Sequence, residues 1–183
     1  AALRATPNLT TIRPADALET LEAWKFALAH NGPTAIVLSR QKVPFLGERD
    51  ARVGHGAYVV HGGDAQPDVI LIATGSEVSL ALDAAKLLEA KGTKARVVSM
   101  PSFELFAAAD AAYRESVLPA AVRARVSIEA AATFGWHRWV GDLGITVGID
   151  HFGMSAPASA IAKEVGFTPE HIADVATGLL ANV

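Results

Sequence analysis

Few side chains in this sequence of 183 residues combine a type and a spacing suited to chemistry. Arg40, in Ser39-Arg40-Gln41, is the leading candidate, because it stands just past the end of an apolar run at 35–38. In open α/β sheets, ligands bind outside the carboxyl ends of strands. A guanidinium offers a rigid fork of donors for phosphate or carboxylate. An arginine paired with an acid at an interface fits the same residues equally well. A second candidate is Ile72-Ala73-Thr74-Gly75-Ser76-Glu77, a strand running through a glycine turn into a helix. Free N–H groups there can cradle an anion. A plain helix start, with Ser76 accepting as the cap and Glu77 on the positive end of the dipole, is the favoured reading, because Glu77 would repel an anion. Phe134-Gly135-Trp136-His137-Arg138-Trp139 holds two of the three tryptophans, with Glu129 nearby as an acceptor. It reads either as a recognition surface or as a core helix after a glycine turn. His151 is expected to be structural.

Other chemistries find no support. There is no G-x-S-x-G elbow, no H-E-x-x-H and no G-x-x-x-x-G-K-[ST]. The six histidines show no i, i+4 pair. Gly54-x-Gly56 lacks a third glycine and precedes a strand. With no cysteine, disulfides, thiolate nucleophiles and cysteine zinc sites are excluded.

The elements that must position these residues follow from periodicity. Runs at 35–38, 69–73, 95–98, 126–128 and 145–149 are rich in Val and Ile with little alternation, as strands buried on both faces are. Helical patterns lie at 16–30 (Leu18, Leu21, Trp24, Leu28), at 77–91 (Val78, Leu82, Ala85, Leu88, then Gly92) and at 169–180 (Ile172, Val175, Ala176, Leu179). Alternating strands and helices predict a mostly parallel sheet with helical layers. A strand at 57–61, before a turn at Gly62-Gly63-Asp64, is too close to Val69 for a parallel crossover and must pair antiparallel or lie elsewhere. Residues 41–56 have no period and read as a surface linker. The first 40 residues then hold one helix and one strand, too little to fold alone, so the chain reads as a piece of something larger.

Composition narrows the class. The chain is 51% hydrophobic and 19% charged, against about 25% charged in typical domains. Disorder is excluded on that ground. A net charge of -3 leaves no basic footprint, so no nucleic-acid partner is expected. No apolar run reaches the ~18 residues of a membrane span, and no signal peptide is expected.

Several segments together resemble the transketolase family. They are Thr11-Ile12-Arg13-Pro14-Ala15-Asp16, Ile36-Val37-Leu38-Ser39-Arg40-Gln41 and Leu71-Ile72-Ala73-Thr74-Gly75-Ser76-Glu77-Val78. Val97-Val98-Ser99-Met100-Pro101-Ser102, Tyr113-Arg114-Glu115-Ser116-Val117-Leu118-Pro119, Ser127-Ile128-Glu129-Ala130, Phe152-Gly153-x-Ser155-Ala156-Pro157-Ala158 and Gly166-Phe167-Thr168-x-Glu170 continue the series. The order and spacing are the family's, and the likeness covers essentially the whole chain.

The resemblance implies an α/β fold. A three-layer α/β/α domain holds a mixed, mostly parallel five-stranded sheet with its first strand antiparallel, preceded by a partial α/β domain. Residues 1–50 would be the end of the pyrimidine-binding domain plus linker, and 51–183 the C-terminal domain. The implied activity is transfer of a two-carbon ketol unit between sugar phosphates, using thiamine diphosphate and a divalent cation (Mg or Ca). Arg40 aligns with an arginine that holds the substrate phosphate. No catalytic, cofactor-binding or metal-binding residue carries over. The isolated chain is expected to be inactive and to bind no cofactor alone. Expected partners are sugar phosphates, the N-terminal domains of the same polypeptide and a second copy in a cytoplasmic homodimer, with no membrane. Alternatives are a regulatory or subunit-docking module, a deoxyxylulose phosphate synthase, or a 2-oxoacid dehydrogenase beta subunit. The segments at 38–41 and 152–158 favour transketolase.

Overall fold

A computed structural model describes residues 1–63 and 66–183. Asp64, the last residue of the predicted turn, lies outside the described residues. The chain opens with a 3-10 turn at Leu3–Ala5 and then a short strand, β1 (Thr10–Ile12). Helix α1 (Ala17–Ala29) follows, and strand β2 (Thr34–Ile36) pairs parallel with β1. The N-terminal unit thus holds two strands rather than the one expected, and β2 ends two residues earlier than its apolar run. The apolar stripe of α1 lies largely on its exposed side. Leu21, Trp24 and Leu28 are 51%, 52% and 82% exposed, while Glu19 and Ala23 are buried. The reason lies at the helix start, where two acids find partners in the rest of the chain and turn that side inward.

A 3-10 turn at Val53–His55 leads into β3 (Tyr58–His61). Val53 is fully buried against Ile12 and Ala23, so the segment at 41–56 is more than a surface linker. Then come β4 (Val69–Ala73), α2 (Glu77–Glu89), β5 (Ala95–Ser99), α3 (Phe103–Ala108), α4 (Ala111–Val117) and β6 (Arg125–Ile128). The chain ends with α5 (His137–Val140), β7 (Ile145–Val147), α6 (Ala158–Glu164) and α7 (Pro169–Leu180). The five-stranded sheet has the order β3-β5-β4-β6-β7, with β3 antiparallel and the rest parallel. The antiparallel expectation from the short connection after His61 therefore holds.

Alternate residues of the central strands feed two cores. Leu71, Val97 and Val126 face α2 and α7, where Val78, Ala85, Leu88, Ile172 and Ala176 pack. Ile70, Ile72 and Val98 face α3 to α5, where Phe103, Phe106, Trp136 and Trp139 pack. Helix α2 stops at a glycine, Gly92, with φ +85°, which a side chain would disfavour. Thr168 accepts from the His171 amide to start α7, with Pro169 at its first turn. Because β4 lies between β5 and β6, the connections leave it in opposite directions. That makes the carboxyl ends of β4 and β6 the switch point where such sheets form a crevice.

Candidate functional site

Arg40 lies four residues beyond the end of β2, in an irregular segment. Its side chain is exposed and makes no hydrogen bond or ion pair with any described residue. The segment around it is tethered at both ends. The Val37 amide donates to the Ile12 carbonyl at 2.8 Å, and the Leu46 amide donates to Asp16 Oδ2 at 3.0 Å. Arg49 adds a bidentate pair to Asp16, at 2.9 and 3.0 Å. Asp16 also caps α1 through the Glu19 amide. Burial pushes the Asp16 carboxyl up, but Arg49 and the amides of Glu19 and Leu46 more than offset this and hold it below the usual range. A hollow of about 340 Å³, bordered by Thr20, Leu38, Ser39 and Phe45, opens beside the segment, and Arg40 itself stands outside its rim.

The Gly75–Glu77 turn holds a cation rather than an anion. Arg13 donates to the Thr74 carbonyl and to Glu77 Oε2, both at 2.5 Å. Ser76 does not cap α2. Its hydroxyl donates to Glu77 Oε1 at 2.6 Å and sits 3.4 Å from Arg13 Nη2. The acid expected to repel an anion is the reason: it recruits a guanidinium, which takes the space at the turn. Gly75 permits this, because with φ +61° a Cβ there would lie 2.5 Å from Arg13 Cζ.

Glu129, after β6, receives Arg4 in a two-pronged contact at 2.7 and 2.8 Å and the Trp136 indole N–H at 2.8 Å. Burial raises its pKa, but Arg4, the indole and the charge of Arg13 together hold it below the usual range. Trp136 is fully buried and Trp139 nearly so, so these tryptophans are core and not a recognition surface. Phe103 packs edge-on against both. Between α1 and the large sheet, fully buried Glu19 accepts from the Ala15 amide, Tyr58 and Ser99 at 2.8, 2.7 and 2.6 Å. Burial and the Glu19 charge push the Tyr58 hydroxyl well above its ordinary pKa, with Arg49 opposing. His151 is exposed, and its ring nitrogen Nδ1 lies 2.7 Å from its neighbour's carbonyl.

The structure therefore brings together residues that sequence reasoning did not assign. Arg4, Arg13, Asp16, Glu19 and Arg49 form a buried polar seam along the carboxyl edge of the large sheet. The one available signal was the Thr11–Asp16 motif, which joins an arginine and an acid in a single turn of chain. Among the described residues no cluster of three or more His, Asp or Glu is placed to hold a metal ion.

Comparison with known proteins bears on the same two units. A family model for the transketolase pyrimidine binding domain matches residues 1–45, and one for the transketolase-like TK C-terminal domain matches 56–168. The chain is 49% identical over 184 residues to a transketolase of Nostoc, covering 98% of this chain and 28% of the relative. It is 44% identical to the solved transketolase of Leishmania mexicana, with a TM-score of 0.91, covering 99% of this chain and 26% of that one. A Pichia stipitis transketolase solved with sedoheptulose-7-phosphate gives 39% identity and the same score, over 99% of this chain and 26% of that one. The chain thus spans about 28% of the length of the curated relatives it matches. Strand order, helical layers and matched segments agree, and the chain belongs to the transketolase family.

Proposed function

We propose that this chain is the C-terminal part of a transketolase that moves a two-carbon ketol unit between sugar phosphates with thiamine diphosphate. Residues 1–50 act as the end of the pyrimidine-binding domain plus linker, and 51–183 as the C-terminal domain. In this reading Arg40 binds the phosphate of the sugar. The observation that carries it is an exposed guanidinium with no partner among the described residues, at the carboxyl side of β2, on a segment tethered at both ends. Such a group adds binding energy remote from the reacting carbon, which orients the substrate. The Pichia stipitis relative, solved with sedoheptulose-7-phosphate, supports the substrate class.

The cofactor and its divalent cation (Mg or Ca) are assigned to the remainder of the polypeptide, because the buried acids here are paired with Arg4, Arg13 and Arg49 or with hydroxyls. The enzyme is read as a cytoplasmic homodimer. Among the described residues no helix is long and apolar enough to cross a membrane. The exposed side of α1 supports a missing partner surface, because Leu21, Trp24 and Leu28 are apolar and at least half exposed.

The test is Arg40→Ala in the complete enzyme. Phosphorylated acceptors should weaken far more than unphosphorylated ones of the same length. Equal losses for both would remove the phosphate role.

A further inference from the structure

We infer that Arg13 is a positioning residue: seated in the switch-point crevice of the large sheet, it sets the place of the Arg40 segment. In sheets of this winding the crevice at the carboxyl ends of the diverging strands is the usual seat of a ligand. Here the seat is taken by a side chain of the N-terminal unit. Arg13 reaches the Thr74 carbonyl and Glu77 beyond β4, and comes within 4.0 Å of Glu129 beyond β6. Its main chain grips the same edge. The Arg13 amide donates to Pro101 beyond β5, and its carbonyl accepts from Gly75 and from the Thr74 hydroxyl.

The connection to Arg40 is short. Arg13 directly follows Ile12, whose carbonyl holds the Val37 amide, and Arg40 stands three residues further on. The other end of the same segment is held by Asp16, three residues after Arg13. Both anchors of the Arg40 segment thus lie on the stretch of chain that Arg13 fastens. With Nη1 donating to the Thr74 carbonyl and Glu77, and Nη2 lying 3.4 Å from the Ser76 hydroxyl, the planar guanidinium fixes orientation as well as distance, which an ammonium cannot do. Part-buried geometry of this kind is lost when one partner goes, because the other charge is left unpaired.

The inference rests on Arg40 binding substrate phosphate, and its test separates the two. In the complete enzyme, Arg13→Ala, Arg13→Lys, Glu77→Gln and Arg40→Ala are compared on a phosphorylated and an unphosphorylated acceptor. Arg13→Ala should lower kcat/KM for the phosphorylated acceptor by about 10- to 100-fold, the cost of misplacing a binding group by about 1 Å. The kcat/KM for the unphosphorylated acceptor should hardly move. Arg13→Lys should fall between, and millimolar methylguanidinium, which fits the vacated seat, should restore part of the loss in Arg13→Ala. Hydrogen exchange supplies a readout free of activity, since protection of the Val37 and Leu46 amides should drop in Arg13→Ala. If Arg13→Ala does not fold, Glu77→Gln keeps an acceptor, removes the charge and should show the same pattern more weakly. Unchanged protection at Val37 and Leu46 overturns the positioning role. So does an equal loss of kcat/KM for both acceptors while Arg40→Ala discriminates between them. If Arg40→Ala fails to discriminate, the phosphate reading falls, and the exchange result alone decides whether Arg13 holds the segment.

Discussion

Trp136 donates its indole N–H to Glu129 at 2.8 Å, on the same carboxylate oxygen that Arg4 Nη1 approaches at 2.7 Å. One buried acid therefore joins the aromatic core of the large unit to the first turn of the N-terminal unit. Its folded pKa lies below the ordinary 4.5. A depressed folded pKa means that the ion pair's contribution is fully present above pH 4.5 and is lost as pH falls through the lower folded value. Asp16, also depressed, works in the same direction from its ordinary 3.8. Acid titration of the protein should open this seam on the acid side of pH 4.5, seen as a change in tryptophan emission. Glu129→Gln should flatten the Glu129 part of that transition and destabilise the protein at neutral pH by about 3–5 kcal/mol, since Arg4 is left without its buried counter-charge. An acid limb in Glu129→Gln as steep as in the parent protein would contradict this.

Gly75 supplies a second test. Its left-handed backbone disfavours a side chain by about 1–2 kcal/mol, and a Cβ there would also push on the Arg13 guanidinium. Gly75→Ala should cost more than the backbone part, as urea denaturation of the complete protein can measure. With Arg13→Ala already in place, Gly75→Ala should cost only the backbone part. The two changes then couple, as neighbours sharing one space do. Strict additivity would show that Gly75 and Arg13 do not share that space.

Much of the large unit was legible because its signals are local. Val69–Ala73 is a continuous apolar run, Thr168-Pro169 starts a helix, Gly92 ends one, and the gap after His61 is too short for a crossover. The N-terminal unit was legible only in part. Thr10–Ile12 is three residues long and two of them are threonine, so it has no period to detect. The facing of α1 was not legible, because hydrophobic spacing picks out Leu21 and Trp24 without saying which side turns inward. Glu19 instead turns inward to Tyr58 and Ser99, which are 39 and 80 residues away in sequence. Arg13 carried a motif but no role for the same reason: its acids lie on α2 and past β6.

The exposed apolar face of α1 leads to a solubility prediction. Leu21, Trp24 and Leu28 contribute little to the stability of the 183-residue chain, because they are half or more exposed. Replacing all three with Gln or Lys should leave its thermal midpoint within a few degrees while reducing self-association in light scattering, since surface changes rarely exceed about 0.5 kcal/mol. In the complete enzyme the same triple change should be damaging, if the proposed partner surface sits on this face. If the complete enzyme tolerated it with full activity, the face would have no partner in the remainder of the polypeptide.

The last prediction concerns the cofactor. In the 183-residue chain, titration calorimetry with thiamine diphosphate and Mg should give no heat beyond dilution at millimolar ligand. The physical ground is the donor set. A diphosphate with its cation calls for several oxygen ligands from acidic or carbonyl groups held in one place. The buried acids in this chain are already spent on the seam: Asp16 on Arg49, Glu77 on Arg13, Glu129 on Arg4, and Glu19 on Tyr58 and Ser99. Releasing any of them to a metal would leave a buried arginine or hydroxyl unpaired, which costs more than a weak site returns. Saturable binding in the micromolar range would show that this chain carries a cofactor site of its own. It would also return the Gly75–Glu77 turn at the switch point to consideration as the place where the diphosphate sits.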